Sequence, residues 1–309
     1  MGKLPSMTWL RGIFANKRRK VEAAKPTFAE PFALDELRPL LRRRNEHIAR
    51  AMCATTYLGE YYGILRVLCR VLGRYKMYVD PNDHGLSPHL MLDGYWEMST
   101  TEAIAQLVEP GMIVGDVGAN LGYFTMLMAD LVGPEGKVFA FEPNPQMAFR
   151  AERSARLNGF SERVAVCQTV LYGENGRTVS FLMPSDEPKN AYARPYDGEE
   201  LTGAVLLDAC RLDSRPEWLD FDMLKIDAEG SEQSIWQGMS GLLARDRLRI
   251  IVMEVRLSRY DGDTAFLRDI MAHGFSMERI DDTAGIVATS LQVLQADWAN
   301  EDVMLVFRR

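Results

Sequence analysis

The chain has 309 residues, of which 47% are hydrophobic and 26% charged, and its formal net charge is −7 at pH 7. No segment reaches the roughly 20 consecutive apolar residues of a membrane-spanning helix, and no secretory signal with an apolar core begins the chain. The four cysteines are scattered without a C-x-x-C pair, which excludes a sequence-evident zinc site or disulfide framework. We therefore expect a globular protein of the reducing cytoplasm.

Charge divides the chain near residue 80. Residues 1–80 hold 16 Lys and Arg against 7 Asp and Glu, whereas residues 81–309 hold 20 against 36. We predict a basic, mainly helical N-terminal extension over 1–80, with helices over Leu34–Met52 and Thr55–Leu72, and one larger domain over 81–309. Docking of the extension on the acidic domain is the favoured interpretation. Weak, peripheral contact with a membrane surface is the alternative.

The most informative motif lies between the first predicted strand of the domain, Met112–Val114, and an amphipathic helix that begins near Phe124. Gly118 and Gly122 stand four residues apart, with Asp116 two residues ahead. A dinucleotide fingerprint would read G-x-G-x-x-G and bring a pyrophosphate to the helix N-terminus. This chain has G-x-x-x-G instead, and a carboxylate at 116 would repel a pyrophosphate but attract an ammonium or sulfonium group. The motif therefore favours S-adenosylmethionine over NAD.

A second strand is predicted over Val138–Phe141, and Glu142 stands at its end. In a doubly wound sheet, this position faces the cofactor ribose, where a carboxylate accepts hydrogen bonds from both hydroxyls. Glu142 supports an adenosine cofactor of either kind, so the choice between the two rests on Asp116 and the glycine spacing.

Strands and helical patterns alternate through the rest of the domain, which predicts a mostly parallel, seven-stranded α/β sheet. The remaining strands are predicted over Val164–Val170, Met223–Asp227, Ile250–Val255, Phe275–Ile280 and Val303–Phe307. Between Val164–Val170 and Met223–Asp227, which are the third and fourth strands of the sheet in chain order, Thr178–Met183 and Ala204–Ala209 predict an inserted β-hairpin with a mobile polar loop. Loops of this length often act as lids.

Three carboxylates follow the fourth and fifth strands, where an open α/β sheet forms its ligand crevice. Asp227, Glu229 and Glu254 are our candidates for catalysis, because a hydroxyl that attacks a methyl group must give up its proton to a base. Ordinary capping or helix-dipole roles are the alternative for each, and a divalent cation held by all three ranks second to a metal-free site. Lys225 points either into the same crevice or toward a carboxylate partner.

Three motifs together resemble the FkbM family of S-adenosylmethionine-dependent methyltransferases: Gly115–Thr125 (GDVGANLGYFT), Phe141–Pro145 (FEPNP) and Leu224–Glu232 (LKIDAEGSE). The resemblance runs from about Leu90 to the C-terminus. It implies a class I, Rossmann-like methyltransferase fold, an antiparallel pair formed by the last two strands, and O-methylation of a sugar, polyketide or similar hydroxylated molecule. Glu97 matches an acid that the family carries before its first helix, which implies a contact near the methionine end of the cofactor.

The predicted cofactor-binding set collects these positions with the apolar segment Thr169–Leu171, where the adenine is expected to rest: Glu97, Asp116, Gly118, Asn120, Gly122, Glu142, Val170 and Asp227. An NAD-dependent oxidoreductase and a non-catalytic cofactor-binding module are the rival interpretations. Nucleic acid is not expected as a partner, because the acidic domain would repel phosphates. A small-molecule or glycan acceptor is expected; its identity and the oligomeric state stay open.

Overall fold

The computed structural model describes residues 56–61, 64–184, 187–260 and 264–309. Its strands are β1 (Thr56–Tyr61), β2 (Ile64–Val71), β3 (Tyr75–Val79), β4 (Ile113–Val117), β5 (Lys137–Phe141), β6 (Val164–Cys167), β7 (Val170–Leu171), β8 (Thr178–Leu182), β9 (Tyr192–Pro195), β10 (Ala204–Cys210), β11 (Met223–Ile226), β12 (Ile250–Val255), β13 (Ser276–Asp281), β14 (Gly285–Ala288) and β15 (Val303–Arg308). Its α-helices are α1 (Ser87–Leu92), α2 (Met98–Leu107), α3 (Tyr123–Leu131), α4 (Pro145–Leu157), α5 (Glu232–Gln237), α6 (Ser240–Leu243), α7 (Ala265–Ala272) and α8 (Leu291–Asp297).

An eight-stranded sheet forms the centre of the domain, in the order β14-β13-β15-β12-β11-β4-β5-β6. The five strands from β12 to β6 are parallel, and β15 runs antiparallel to both β12 and β13. Without the edge strand β14, the strands counted along the chain lie in the order 3-2-1-4-5-7-6. The order in which strands are added to the sheet reverses between β4 and β11. This is the switch point where doubly wound sheets bind ligands.

The predicted class I, Rossmann-like fold and its antiparallel final pair are thus confirmed. The sheet has one strand more than the seven predicted, because Gly285–Ala288 pairs with Ser276–Asp281 as an edge hairpin. The parallel strands β4, β5 and β11 are buried almost throughout, since helices cover both faces of such a sheet. The carboxyl ends of these strands therefore lie at one protected edge.

The insertion between β6 and β11 is larger than the predicted hairpin. Its two predicted strands pair antiparallel as β8 and β10, with Leu182 opposite Ala204. The segment expected to be a polar loop contains β9, which completes a four-stranded sheet in the order β7-β10-β8-β9. A single 3₁₀ turn, Pro188–Asn190, leads into β9. We refer to residues 173–210 as the insertion.

The predicted helix over Thr55–Leu72 is wrong, because this segment forms β1 and β2 of an antiparallel three-stranded sheet with β3. Burial alternates along β2, with Val67, Cys69 and Val71 buried and the residues between them less so, which is the period of a strand. Apolar residues separated by arginines satisfy this period as well as a helical one. The predicted helix over Leu34–Met52 and the membrane-contacting segment before it lie outside the described residues.

The three-stranded sheet packs on the domain through residues of its second and third strands and the turn between them. Docking of the basic extension as a whole stays a prediction. Arg74 Nε donates to Asp130 Oδ2 at 2.5 Å, Arg150 pairs with Asp80 at 2.8 Å, and the buried residues of β2 and β3 belong to the main core. The boundary at residue 80 stays a prediction. Within the described ranges, no helix is both long and apolar enough to cross a bilayer.

Candidate active site

Two adjoining spaces open at the carboxyl edge of the sheet, beside the loops that follow β4 and β11. The cleft, of about 60 Å³, lies between Glu142, the segment Thr169–Leu171 and the insertion. The outer cavity, of about 470 Å³, is bordered by Trp96, Glu254 and Arg259. Their common wall consists of Gly118, Asn120, Lys189, Asp227 and Glu229. A molecule that spans both spaces would pass over this wall.

Gly118 allows the two central loops to meet. Its φ is +77°, and a Cβ built on it would lie 1.8 Å from the carbonyl oxygen of Asp227, so no other residue fits without moving the backbone. Gly122 begins α3 with a φ of +86°, and its added Cβ would meet Ala151 at 3.0 Å. Gly122 therefore serves the packing of α3 on α4 and does not line the cleft or the outer cavity.

Glu142 forms one side of the cleft, as the sequence predicts. The backbone N–H of Asn120 donates to its Oε2, and that of Asn144 to its Oε1, both at 2.8 Å. Asn120 adopts a left-handed φ of 51°, which directs this N–H inward. Burial raises the pKa of Glu142 to about 7, although these backbone hydrogen bonds oppose the shift. Each oxygen retains acceptor capacity for the hydroxyl of a ligand.

Apolar side chains line the opposite part of the cleft. Val170 is 5% exposed and Leu171 is 4% exposed, and Phe181 and Ala193 of the insertion face the same space. These walls suit a flat, uncharged ring. Val170 is thus placed where the sequence analysis expects the adenine contact.

The structure does not bring Asp116 to the wall of the cleft or the outer cavity. Its side chain is fully buried and accepts a hydrogen bond of 2.5 Å from Thr125 Oγ1, and its Oδ1 lies 3.9 Å from Lys225 Nζ. Burial raises the pKa of Asp116, against the opposing effect of Lys225. The expected direct attraction of a ligand cation does not fit this placement, because Lys225 already supplies the cation.

Lys225 lies between two carboxylates beneath the site. Its Nζ is 3.1 Å from Asp227 Oδ2 and 4.9 Å from the centre of the Phe124 ring. Burial alone would lower its pKa, but Asp227, Asp116 and Glu97 together raise it above its ordinary value. Lys225 is therefore a cation that fixes Asp227. Of the two roles that the sequence leaves open for Lys225, this is the pairing with a carboxylate.

The three predicted catalytic carboxylates do converge. One oxygen each of Asp227, Glu229 and Glu254 lies within 4.8 Å of the other two. Burial and the nearby Asp227 raise the pKa of Glu229 to about 7, and burial with Asp227 and Glu229 raises that of Glu254 to about 9. Near neutral pH, this cluster therefore holds both a proton and a vacant basic oxygen.

Arg259, which the sequence analysis does not select, lies among these carboxylates. Its Nη2 donates to Glu229 Oε2 at 2.6 Å and its Nη1 to Glu254 Oε2 at 3.4 Å, and Asp302 is 3.4 Å away. The trio could hold a divalent ion by distance alone, but Glu229 and Glu254 each have an oxygen that faces the guanidinium of Arg259. No sequence motif marks Arg259, which lies in the 3₁₀ turn Leu257–Tyr260 after β12.

Glu97 brings a further carboxylate to the outer cavity. It precedes α2 with a strained φ of 39°, and its Oε2 is buried without a hydrogen-bond partner among the described residues. Burial and Asp227 raise its pKa to about 7. Strained backbone also occurs at Asn120 and at Glu229, whose φ is 50°. Such conformations often accompany functional sites.

Comparison with known proteins identifies the family to which the chain belongs. The Methyltransferase FkbM domain family matches residues 116–277, just over half of the chain. Protein-L-isoaspartate O-methyltransferases from Hyperthermus butylicus and Ignicoccus hospitalis are 34% identical over 155 residues and 32% over 95 residues, which cover 46% and 29% of this chain. The chain spans about half the length of these curated relatives, 56% and 43% respectively.

Two solved structures are similar at lower identity. The SAM-dependent O-methyltransferase from Thermotoga maritima has 14% identity and a TM-score of 0.41, with coverage of 82% of this chain and 77% of that one. The O-methyltransferase from Bacillus cereus in complex with SAH has 14% identity, a TM-score of 0.37 and coverages of 64% and 75%. The fold assignment rests instead on the strand order above. With its three motifs inside and around the matched region, the chain belongs to the FkbM methyltransferase family.

Proposed function

We propose that the protein transfers the methyl group of S-adenosylmethionine to a hydroxyl of a sugar, a glycan or another small natural product. The observation that carries this proposal is the convergence of Asp227, Glu229 and Glu254 at the border of the cleft and the outer cavity. A site of this kind offers a base next to the point where a ligand in the cleft meets one in the cavity.

The residues of the cleft fit the cofactor. Glu142 offers acceptor oxygens to the ribose hydroxyls, and Val170 and Leu171 offer an apolar wall to the adenine. The unpartnered Oε2 of Glu97 fits an ammonium group, as the family resemblance implies. When bound, S-adenosylmethionine supplies a methyl group on a sulfonium, and the rest of the chemistry falls to the residues around it.

Glu229 is the base that we select from the trio. Its pKa of about 7 matches a proton acceptor at neutral pH, and it borders both spaces. Lys225 holds Oδ2 of Asp227, which leaves its other oxygen for the acceptor. Glu254, with a pKa of about 9, retains its proton and can donate a hydrogen bond that orients the acceptor.

The charges of the outer cavity favour a hydroxyl over an acidic acceptor. Its wall carries five carboxylates against four cations: Glu97, Asp227, Glu229, Glu254 and Asp302 against Lys189, Lys225, Arg256 and Arg259. Arg256 and Arg259 are paired with Asp302, and Lys225 with Asp227. Among the described residues, Lys189 is the one cation of this wall without an ion pair, so the cavity offers little free positive charge to a phosphate or carboxylate acceptor. The carboxyl methylation that names the isoaspartate relatives is disfavoured here for the same reason.

The first experiment is a calorimetric titration of the full chain with S-adenosylmethionine and, separately, with NAD. Saturable binding of S-adenosylmethionine alone is expected. Preference for NAD would overturn the proposal in favour of an oxidoreductase.

The second experiment tests the acceptor. The protein is mixed with methyl-deuterated S-adenosylmethionine and a panel of free sugars, glycosides, hydroxylated polyketides and an isoaspartyl peptide, and mass spectrometry follows the mass gain of each compound.

Deuterated methyl on a hydroxylated compound is the expected product. Methylation of the isoaspartyl peptide alone would contradict the hydroxyl assignment. The protein could also bind the cofactor tightly and still methylate no member of the panel and no compound in an extract of small molecules. That result would favour the non-catalytic module.

A further inference from the structure

We propose that Lys189 of the insertion binds the α-carboxylate of the cofactor, so that the insertion closes on the cofactor's amino-acid end. This inference rests on the proposed function. It assigns to the insertion a ligand-dependent closure and to Lys189 a binding role that no motif in the chain indicates.

Lys189 occupies a slot that is built for it. Its aliphatic stem lies against Gly85, where a Cβ would come within 2.8 Å of the Lys189 Cδ and Cγ atoms. Its Nζ lies 5.0 Å from the centre of the Trp96 ring, a favourable position for a cation. Gly85 and Trp96, which are far from the insertion in sequence, thus hold the Lys189 side chain at the common wall of the cleft and the outer cavity.

The ammonium of Lys189 lacks a counter-ion in the part of the chain that the structure describes, since no carboxylate there lies within ion-pair distance. The neighbouring cations of the outer cavity all have one: Lys225 pairs with Asp227, Arg256 with Asp302 and Arg259 with Glu229. A half-buried cation that has no ion pair among the described residues, at the border of two ligand spaces, is a binding group for an anion.

Glu97 supplies the opposite charge on the same cavity wall. Its Oε2 is buried and has no hydrogen-bond partner among the described residues, and Lys189 is near enough to lower its pKa. Among the described residues, the Lys189 ammonium without an ion pair and the Glu97 oxygen without a hydrogen bond face one space, and this pairing fits a zwitterion. The free α-amino acid end of S-adenosylmethionine is such a group, and the adjoining cleft takes its nucleoside.

Closure follows from the size of the cleft. At about 60 Å³ it has room for only a few water molecules, and Phe181, Ala191 and Ala193 of the insertion line it. We therefore expect a nucleoside to enter as the insertion moves outward. Since Lys189 precedes β9 in the same segment, binding of the carboxylate by Lys189 returns these residues to the cleft and shields the reacting atoms from water.

The test compares two ligands that differ in the amino-acid end. S-adenosylhomocysteine carries the zwitterion, whereas 5′-methylthioadenosine lacks it. Lys189→Met keeps the stem against Gly85 and removes the charge. By calorimetry, we expect this variant to weaken S-adenosylhomocysteine about tenfold and to leave 5′-methylthioadenosine within about twofold of the wild type. Lys137→Met is the matched control, since Lys137 also lies over an aromatic ring, Phe139 at 5.6 Å, at the opposite edge of the sheet.

Amide hydrogen exchange over residues 187–195 gives a second readout that does not depend on turnover. S-adenosylhomocysteine should protect these amides in the wild type more than 5′-methylthioadenosine does, and Lys189→Met should remove the difference. Equal affinity of wild type and Lys189→Met for S-adenosylhomocysteine, with equal protection, would overturn the inference alone. Failure of the wild type to bind S-adenosylhomocysteine at all would instead count against the proposed function.

Discussion

The Nζ atom of Lys225 donates a hydrogen bond of 3.1 Å to Oδ2 of Asp227, a carboxylate that borders both the cleft and the outer cavity. The same Nζ lies 3.9 Å from the fully buried Asp116. One cation therefore neutralises a structural acid below the site and positions a functional acid within it. The pairing links the stability of the central strands to the geometry of the candidate active site.

Lys225→Met should unfold more easily than the wild type, because it leaves Asp116 buried without its cation. Loss of one partner from a buried pair costs about 3–5 kcal/mol, and urea unfolding at pH 7.5 measures it. The double variant Lys225→Met with Asp116→Asn should regain a large part of this loss. A Lys225→Met variant no less stable than Lys137→Met would show that the pairing does not stabilise the fold.

Glu142→Gln should bind S-adenosylhomocysteine roughly tenfold more weakly, since one hydrogen-bonded carboxylate oxygen becomes a donor. The fold should be retained, because Asn120 or Asn144 can still donate to the remaining oxygen. Calorimetry gives the affinity and thermal unfolding the control for folding. Glu135→Gln, an exposed acid in the turn before β5, serves as the matched variant. Equal affinities of the two variants would remove Glu142 from the cofactor site.

The rate of methyl transfer should rise with pH through about 7 and then level off, because Glu229 accepts a proton only in its ionised form and its pKa is about 7. Glu229→Gln should lower kcat by roughly 10²–10⁴-fold and remove this dependence, while the exposed Glu301→Gln should do neither. The measurement is a pH profile of kcat with an acceptor that the methylation panel identifies. An unchanged profile in Glu229→Gln would move the role of base to Asp227.

Glu254→Gln should become more stable than the wild type as the pH rises. The folded-state pKa of Glu254, about 9, exceeds its ordinary value of 4.5, so the folded protein holds this proton more tightly than the unfolded chain does. The stability that this proton contributes is present below pH 4.5 and is lost toward pH 9. We expect a Tm gain of about 2–4 °C at pH 8.5 and almost none near pH 4.5; a gain that is the same at both values would contradict the raised pKa.

Metal removal should leave the protein unaffected. Arg259 already contacts Glu229 and Glu254 at 2.6 and 3.4 Å, so a divalent ion would have to displace a guanidinium. Dialysis against EDTA is expected to change the rate of methyl transfer by less than about twofold, which is about 0.4 kcal/mol in the barrier. If EDTA abolishes activity and Mg²⁺ restores it, a divalent cation bound by Asp227, Glu229 and Glu254 would be favoured instead.

Local pattern was enough to predict most of the sheet. The strand at Ile250–Val255 has the predicted bounds, and the other predicted strands of the domain differ from the structure by a few residues, because buried parallel strands appear as continuous apolar runs between turn signals. The helix predicted over Thr55–Leu72 is wrong because the mixture of apolar residues and arginines fits the helical period and the strand period equally well. Only pairing with Tyr75–Val79 selects the strand. Gly285–Ala288 is too short to be recognised without its partner strand.

The sequence by itself determined the family, the glycine turn at Gly118, and the acids Glu142, Asp227, Glu229 and Glu254 at strand ends, because these follow from the order of residues along single elements. Only the tertiary structure decided which of them share a wall, that Asp116 faces Lys225 instead of a ligand, and that Arg259 and Lys189 belong to the site. Their positions depend on contacts between segments far apart in the chain, and a side chain's charge, burial and pKa are set by those neighbours.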